Sequence, residues 1–157
     1  MRVLGVDPGY GRLGLAVVEK DKAGEKLIFS DCISTPSTLP FPERLSIMAS
    51  AFEKAIRDWQ PETVAIEELF FTTNQKTAIK VAEIRGVLIY ISSKQNLPVF
   101  EYNPLTIKNS VTGWGQADKK QIQSLVEKLI KIDKKIKYDD EYDAIAVALT
   151  HLAHSKY

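Results

Sequence analysis

Apolar residues gather early in the chain as Val3-Leu4-Gly5-Val6, and the run ends in an acid and a turn, Asp7-Pro8-Gly9. Residues 2–7, 13–20 and 26–35 predict three strands, with residues 21–25, which include Gly24, turning the second into the third. Pro36, Pro40 and Pro42 mark a loop. Beyond it Leu45, Met48, Phe52, Ile56 and Trp59 recur at helical spacing, with Ala49 and Ala55 beside them. That is an amphipathic helix, which Pro61 ends. Residues 63–69 predict a fourth strand and residues 99–102 a fifth. Asn74 is the expected N-cap of the long helix between them, which runs to about Asn96. Asn103-Pro104 reads as a cap followed by proline at the first helical position. Asp118 and Asp139 are the expected caps of the last two helices. An antiparallel meander that enters α/β crossovers implies an α/β fold: a five-stranded mixed sheet, its first three strands antiparallel, flanked by helices.

The length of 157 residues suits one domain with a substantial core, residues 1–157. Hydrophobic residues make up 45% and charged residues 26%, ordinary values for a soluble globular protein. No apolar run is long enough to span a bilayer, and the chain enters a strand without a signal-peptide pattern. Cys32 is alone, which excludes a disulfide framework and a cysteine zinc site. The expectation is a cytoplasmic protein with no membrane partner. The net charge of +1 does not advertise a polyanion ligand. Residues 118–137, however, hold seven lysines against Asp118, Glu127 and Asp133, a local +4. Such a stretch is either a solvated helix face or a flank that contacts phosphates.

The chemistry lies in the acids. Carboxylates set against apolar segments are costly unless paired or bound to cations. Asp7 ends the first strand, where Asp-Pro-Gly is also ordinary turn chemistry. Strand alternation puts Asp7 on one face with Val3 and Gly5, and Gly5 is expected to leave open space beside it. The acid of the fourth strand is Glu67 or Glu68. Glu67 shares its face with small Ala65, whereas Glu68 shares a face with bulky Val64 and Ile66, which favours Glu67. Asp140 and Asp143 are three apart and share a helix face. Acids in a first turn also complement the helix dipole, but Asp143 opens an almost wholly apolar helix that must be buried. Four carboxylates from three elements form an all-oxygen set suited to Mg²⁺ or Mn²⁺. His151 lies roughly 12 Å along the helix from Asp143, too far to share an ion, and reads as a packing or surface residue, as does His154. Phe70 and Phe71 follow the strand acids and are either core or aromatics that meet bases. Gly86 interrupts the long helix at a cost of roughly 1 kcal/mol against alanine. Together with Ile79, Ala82, Val87, Leu88 and Ile91 it makes an apolar surface broad enough for packing on the sheet or for self-association.

Five segments, Gly5-Val6-Asp7-Pro8-Gly9, Ala65-Ile66-Glu67, Ala82-Glu83-Ile84-Arg85-Gly86, Pro98-Val99-Phe100-Glu101-Tyr102 and Asp140-Glu141-Tyr142-Asp143-Ala144-Ile145-Ala146, resemble the RuvC family of Holliday-junction resolvases in order and spacing over nearly the whole chain. The resemblance implies the ribonuclease-H-like fold. It implies a crossover junction endodeoxyribonuclease, a metal-dependent phosphodiester hydrolase of DNA recombination and repair. Asp7, Glu67, Asp140 and Asp143 would be its catalytic and metal-binding tetrad, holding two ions, Mg²⁺ with Mn²⁺ as the alternative. It resolves the glutamate choice in favour of Glu67. Phe70 falls at the family's junction-probing aromatic, and Lys108 and Lys119 where the family has basic residues near the DNA backbone. Lys120 adds a second charge beside Lys119, and Glu68 one beside the site. The implied partners are four-way junction DNA, a second copy of the chain in a homodimer, and a branch-migration motor complex. Rival readings are a two-lobed nucleotide-binding fold, for which the chain is too short, an RNA-cutting enzyme on the same fold, and a junction-binding protein without catalysis. The last has no use for four acids that repel phosphate.

Overall fold

The computed structural model describes residues 1–69 and 75–155. Strands β1 (Arg2–Pro8), β2 (Arg12–Asp21), β3 (Gly24–Ser34), β4 (Thr63–Glu67) and β5 (Val99–Tyr102) form one sheet in the order β3-β2-β1-β4-β5. The first three pair antiparallel, and β4 and β5 join in parallel. Helices α1 (Phe41–Trp59) and α2 (Gln75–Lys94) make the two crossovers, and α3 (Pro104–Thr112), α4 (Lys119–Leu129) and α5 (Asp139–His154) follow. The mixed sheet and the element order are those expected from the sequence. Among the described residues no helix is long and apolar enough to cross a membrane.

Alternation along the strands sorts side chains onto two unlike faces. Leu4, Val6, Leu13, Leu15, Val17, Val64 and Ile66 point to one face, where Met48 and Phe52 of α1 and Ile84 and Leu88 of α2 cover them. The other face carries Val3, Ala16, Val18 and Ala65 beneath α5, with α3 and α4 completing the layer. Here the contact is close because the sheet is thin. A side chain at Gly5 would collide with Ala144 O and Ala148, and one at Gly14 with Asp140 O. The space beside Asp7 that Gly5 was expected to leave for a metal is therefore taken by the α5 backbone. Gly5 and Gly14 let the helix seat on β1 and β2.

The caps are mostly as expected. Asn103 Oδ1 accepts from Thr106 N–H at 2.8 Å, with Pro104 in the first turn. Asp118 forms a reciprocal capping box with Gln121. Asp139 departs from expectation: it is the first helical residue of α5, and Tyr138 is the cap without a side-chain hydrogen bond. The Asp139 carboxylate is engaged by Lys119 instead. Asn74, the expected cap of α2, lies outside the described residues, as do Phe70 and Phe71.

Candidate active site

Strands β1 and β4 run parallel and in register through Val6 and Ile66. One step beyond that pair stand Asp7 and Glu67, neighbours at the carboxyl ends of adjacent strands. The N-terminus of α5, seated on Gly5 and Gly14, brings Asp140 and Asp143 to the same rim. All four acids line one cleft of about 290 Å³, whose other walls include Lys108 of α3 and Lys119 of α4. Glu68 is exposed and faces a neighbouring hollow with Pro8 and Arg85, although that hollow also touches Glu67. Glu67, the glutamate preferred from the sequence, lines the cleft, and Glu68 is not among its lining residues. Lys120 is exposed and is not among the lining residues.

The electrostatics are those of acids forced together. Burial, then the charges of Glu67, Asp143 and Asp140, hold the Asp7 carboxyl well above the usual carboxylate range. It shares a hydrogen bond with Glu67. Burial and Asp143 raise Glu67 as well, against the pull of the Asp7 hydrogen bond, Lys119 and Lys108. Asp143 is pushed up to about 6, chiefly by burial, with Lys119 opposing. Its carboxylate lies 3.7 Å from Lys119 Nζ, which also bonds Asp139 Oδ2 at 2.6 Å.

Residues beyond the predicted set shape this rim. Arg12 Nε approaches Asp140 Oδ2 to 2.9 Å and its guanidinium reaches towards Asp139. The contact is an ion pair without hydrogen-bond alignment, so the buried Oδ2 has no hydrogen-bond partner. Glu141 is buried, accepts from Ser30 Oγ at 2.6 Å and pairs with Lys134, which pins the start of α5 to β3. Sequence reasoning missed Arg12 and Glu141. A lone arginine after a glycine turn and one more acid in a first turn carry no signal until α5 is docked. His151 is buried at the far end of α5 and meets Tyr102 Oη at 2.9 Å, while His154 is exposed, in line with packing and surface roles.

The donor set fits a hard divalent cation. Every ligand-type atom is a carboxylate oxygen, one buried oxygen lacks a hydrogen bond, and the mutual repulsion of the acids is what a bound cation relieves. Among the described residues, no three Asp, Glu, His or Cys side chains already stand close enough to hold an ion. Arg12, Lys119 and the Asp7–Glu67 hydrogen bond engage them instead.

Comparison with known proteins gives one answer. The family model described as "Crossover junction endodeoxyribonuclease RuvC" matches residues 3–151. Curated proteins with that description from Alkaliphilus oremlandii and Finegoldia magna are similar to this chain, at 44% and 43% identity. Those matches cover 99% and 100% of it and 94% and 96% of the relatives. The solved structure of T. thermophilus RuvC in complex with Holliday junction substrate superposes with a TM-score of 0.89 at 30% identity. It covers 98% of this chain and 94% of the other.

Proposed function

This chain belongs to the RuvC family of crossover junction endodeoxyribonucleases, and we propose that its carboxylate cleft is where it hydrolyses one strand of a four-way DNA junction. The enzyme is a structure-selective endonuclease of recombination and repair, resolving Holliday junctions by paired symmetric nicks that leave 5′-phosphate and 3′-hydroxyl ends. The observation that carries the site assignment is the convergence of Asp7, Glu67, Asp140 and Asp143, from two strands and a helix, on one lysine-flanked cleft.

Asp7, Glu67, Asp140 and Asp143 would hold two divalent ions, Mg²⁺ with Mn²⁺ as the alternative. Such ions, when bound, lower the pKa of attacking water and offset charge at phosphorus and the leaving 3′ oxygen. Asp7 would serve both ions; in support, β1 is the central strand and the other acids line the same cleft. Glu67 would serve one, and Asp140 and Asp143 mainly the other. No side chain need act as nucleophile. Lys108, Lys119 and Lys120 contact phosphates, which orients the strand without reading bases. Phe70 helps to open the crossover.

Paired nicks on opposed strands call for a two-fold dimer, because the junction is itself roughly two-fold. Helix α2 suits that contact: Gly86 has open space where a side chain would be, and Ile79 and Tyr90 on the same helix are 59% and 62% exposed. The site of action is the cytoplasm, with a branch-migration motor as a further partner.

The decisive test is cleavage of a synthetic four-way junction with and without Mg²⁺, against linear duplex and RNA. Asp7→Asn is expected to keep junction binding and lose about a thousandfold or more in cleavage, roughly 4 kcal/mol of barrier. Full cutting by that variant in Mg²⁺ rejects the tetrad.

A further inference from the structure

Trp114 stands on the turn between α3 and α4, the two helices that supply Lys108 and Lys119 to the cleft. Large apolar side chains at 55% exposure are common enough singly. This one is held out by a turn built to be stiff. Gly113 closes α3 in the left-handed region at φ 71°, and its N–H donates to Asn109 O at 2.8 Å. Thr112 Oγ1 accepts from Trp114 N–H at 3.0 Å and lies 2.8 Å from both Trp114 O and Lys108 O, its one proton shared between the carbonyls. Trp114 O also accepts from the N–H of buried Ala117. Gly115 lies so close to Leu105 and Asn109 that a side chain there would strike both. Leu105, Lys108, Asn109 and Thr112 share one face of α3, and the turn folds back on that face. The Trp114 backbone is thus one hydroxyl away from the backbone of a cleft lysine.

We infer that Trp114 is a DNA contact, an aromatic surface on which a base left unpaired at the crossover stacks while Lys108 and Lys119 hold the neighbouring phosphates. This inference rests on the junction-cutting reading above. Three points single out nucleic acid as the occupant. The helices that this turn joins carry the cationic side chains Lys108, Lys119 and Lys120, the turn is tied through Thr112 to the backbone of the cleft residue Lys108, and an indole face suits any base. A second copy of the chain is disfavoured, because α3 and α4 cover the opposite face of the sheet from α2. Duplex arms keep their bases stacked, so the branch point is where a free base face is offered.

The chain has two tryptophans, and Trp59 is stacked on Phe29, so Trp59→Phe leaves Trp114 as sole reporter. In an Asp7→Asn background with Mg²⁺, a four-way junction is expected to quench that emission by a third or more. Linear duplex should quench it by less than half as much. Independently, with Trp59 intact, Trp114→Ala should weaken binding of a labelled junction between about fivefold and a hundredfold, the usual range for one base stacked on an aromatic. Trp114→Phe should restore most of it at an unchanged melting temperature. Silent emission at saturating junction, equal quenching by duplex, or Trp114→Ala binding within twofold of its parent each overturns the inference. So does an emission change that follows protein concentration without DNA. If the parent protein binds no junction at all, the functional reading fails instead, and the two failures are told apart by that control.

Discussion

The two faces of the sheet are built on opposite plans. The face under α1 and α2 is thick: leucine, valine and isoleucine from β1, β2 and β4 interlock with Met48, Phe52, Ile84 and Leu88. The face under α5 is thin: Ala16 and Ala65 line it, and Gly5 and Gly14 meet Ala144, Ala148 and the Asp140 backbone with no room for a side chain between. Large side chains bury more apolar area for each position, at roughly 25 cal/mol per Å². The thin face forgoes area and gains proximity, and it is the one with Asp7, Asp140 and Asp143 at its rim. The difference teaches that the thick face holds the fold together and the thin face holds the acids together.

That division is easiest to break on the thick side. Phe52 is completely buried, so Phe52→Ala should cost about 3–5 kcal/mol of stability. Cleavage per folded molecule should stay near normal below the melting transition. Denaturant melts and single-turnover cutting measure the two separately, and a matching loss in both would refute the separation.

Gly14→Ala probes the thin side. A methyl there meets Asp140 O, a backbone atom that can yield only if α5 moves. Stability should fall by about 1–3 kcal/mol, as for overpacking elsewhere. Single-turnover cleavage should drop further than that loss of folded protein explains, since the helix carries Asp140 and Asp143. An unimpaired cleavage rate would show that α5 need not sit so close.

The smallest effect is expected at the other end of α5, where His151 contacts Tyr102, Ser155, Phe100 and His154. Burial, then His154, holds the His151 imidazole below its ordinary value. The unfolded chain therefore takes up a proton first as the pH falls through about 6.5, and stability declines there, while above it the contribution is flat. His151→Gln, which keeps a hydrogen-bonding group for Tyr102, should remove this one loss, so that the melting temperature at pH 5 relative to pH 7 is higher in the variant than in the parent, the raised carboxyl of Asp143 acting with the opposite sign in both. An unchanged slope would assign the acid sensitivity elsewhere.

The acids at the start of α5 show how far pattern alone carries. Asp139, Asp140, Glu141 and Asp143 look alike in a first turn, yet their partners separate them. Asp139 pairs with Lys119, Asp140 with Arg12 and Glu141 with Ser30 and Lys134, while Asp143 faces the cleft. Asp139 was expected to be a cap, and Gly5 was expected to be a space for metal. Both readings treated a residue by its own strand or turn. In each case a distant element decided: Lys119 for Asp139, the α5 backbone for Gly5.

What the sequence by itself determined is local and periodic: the order of strands and helices, the caps at Asn103 and Asp118, and the family to which the chain belongs. These follow from two- and 3.6-residue repeats and from side chains that act on their own backbone. Only the tertiary structure decided which carboxylates share a cleft, which cations answer them, and why two strand glycines are glycines. Such facts depend on distances between segments far apart in the chain, and no repeat along a single strand or helix encodes them.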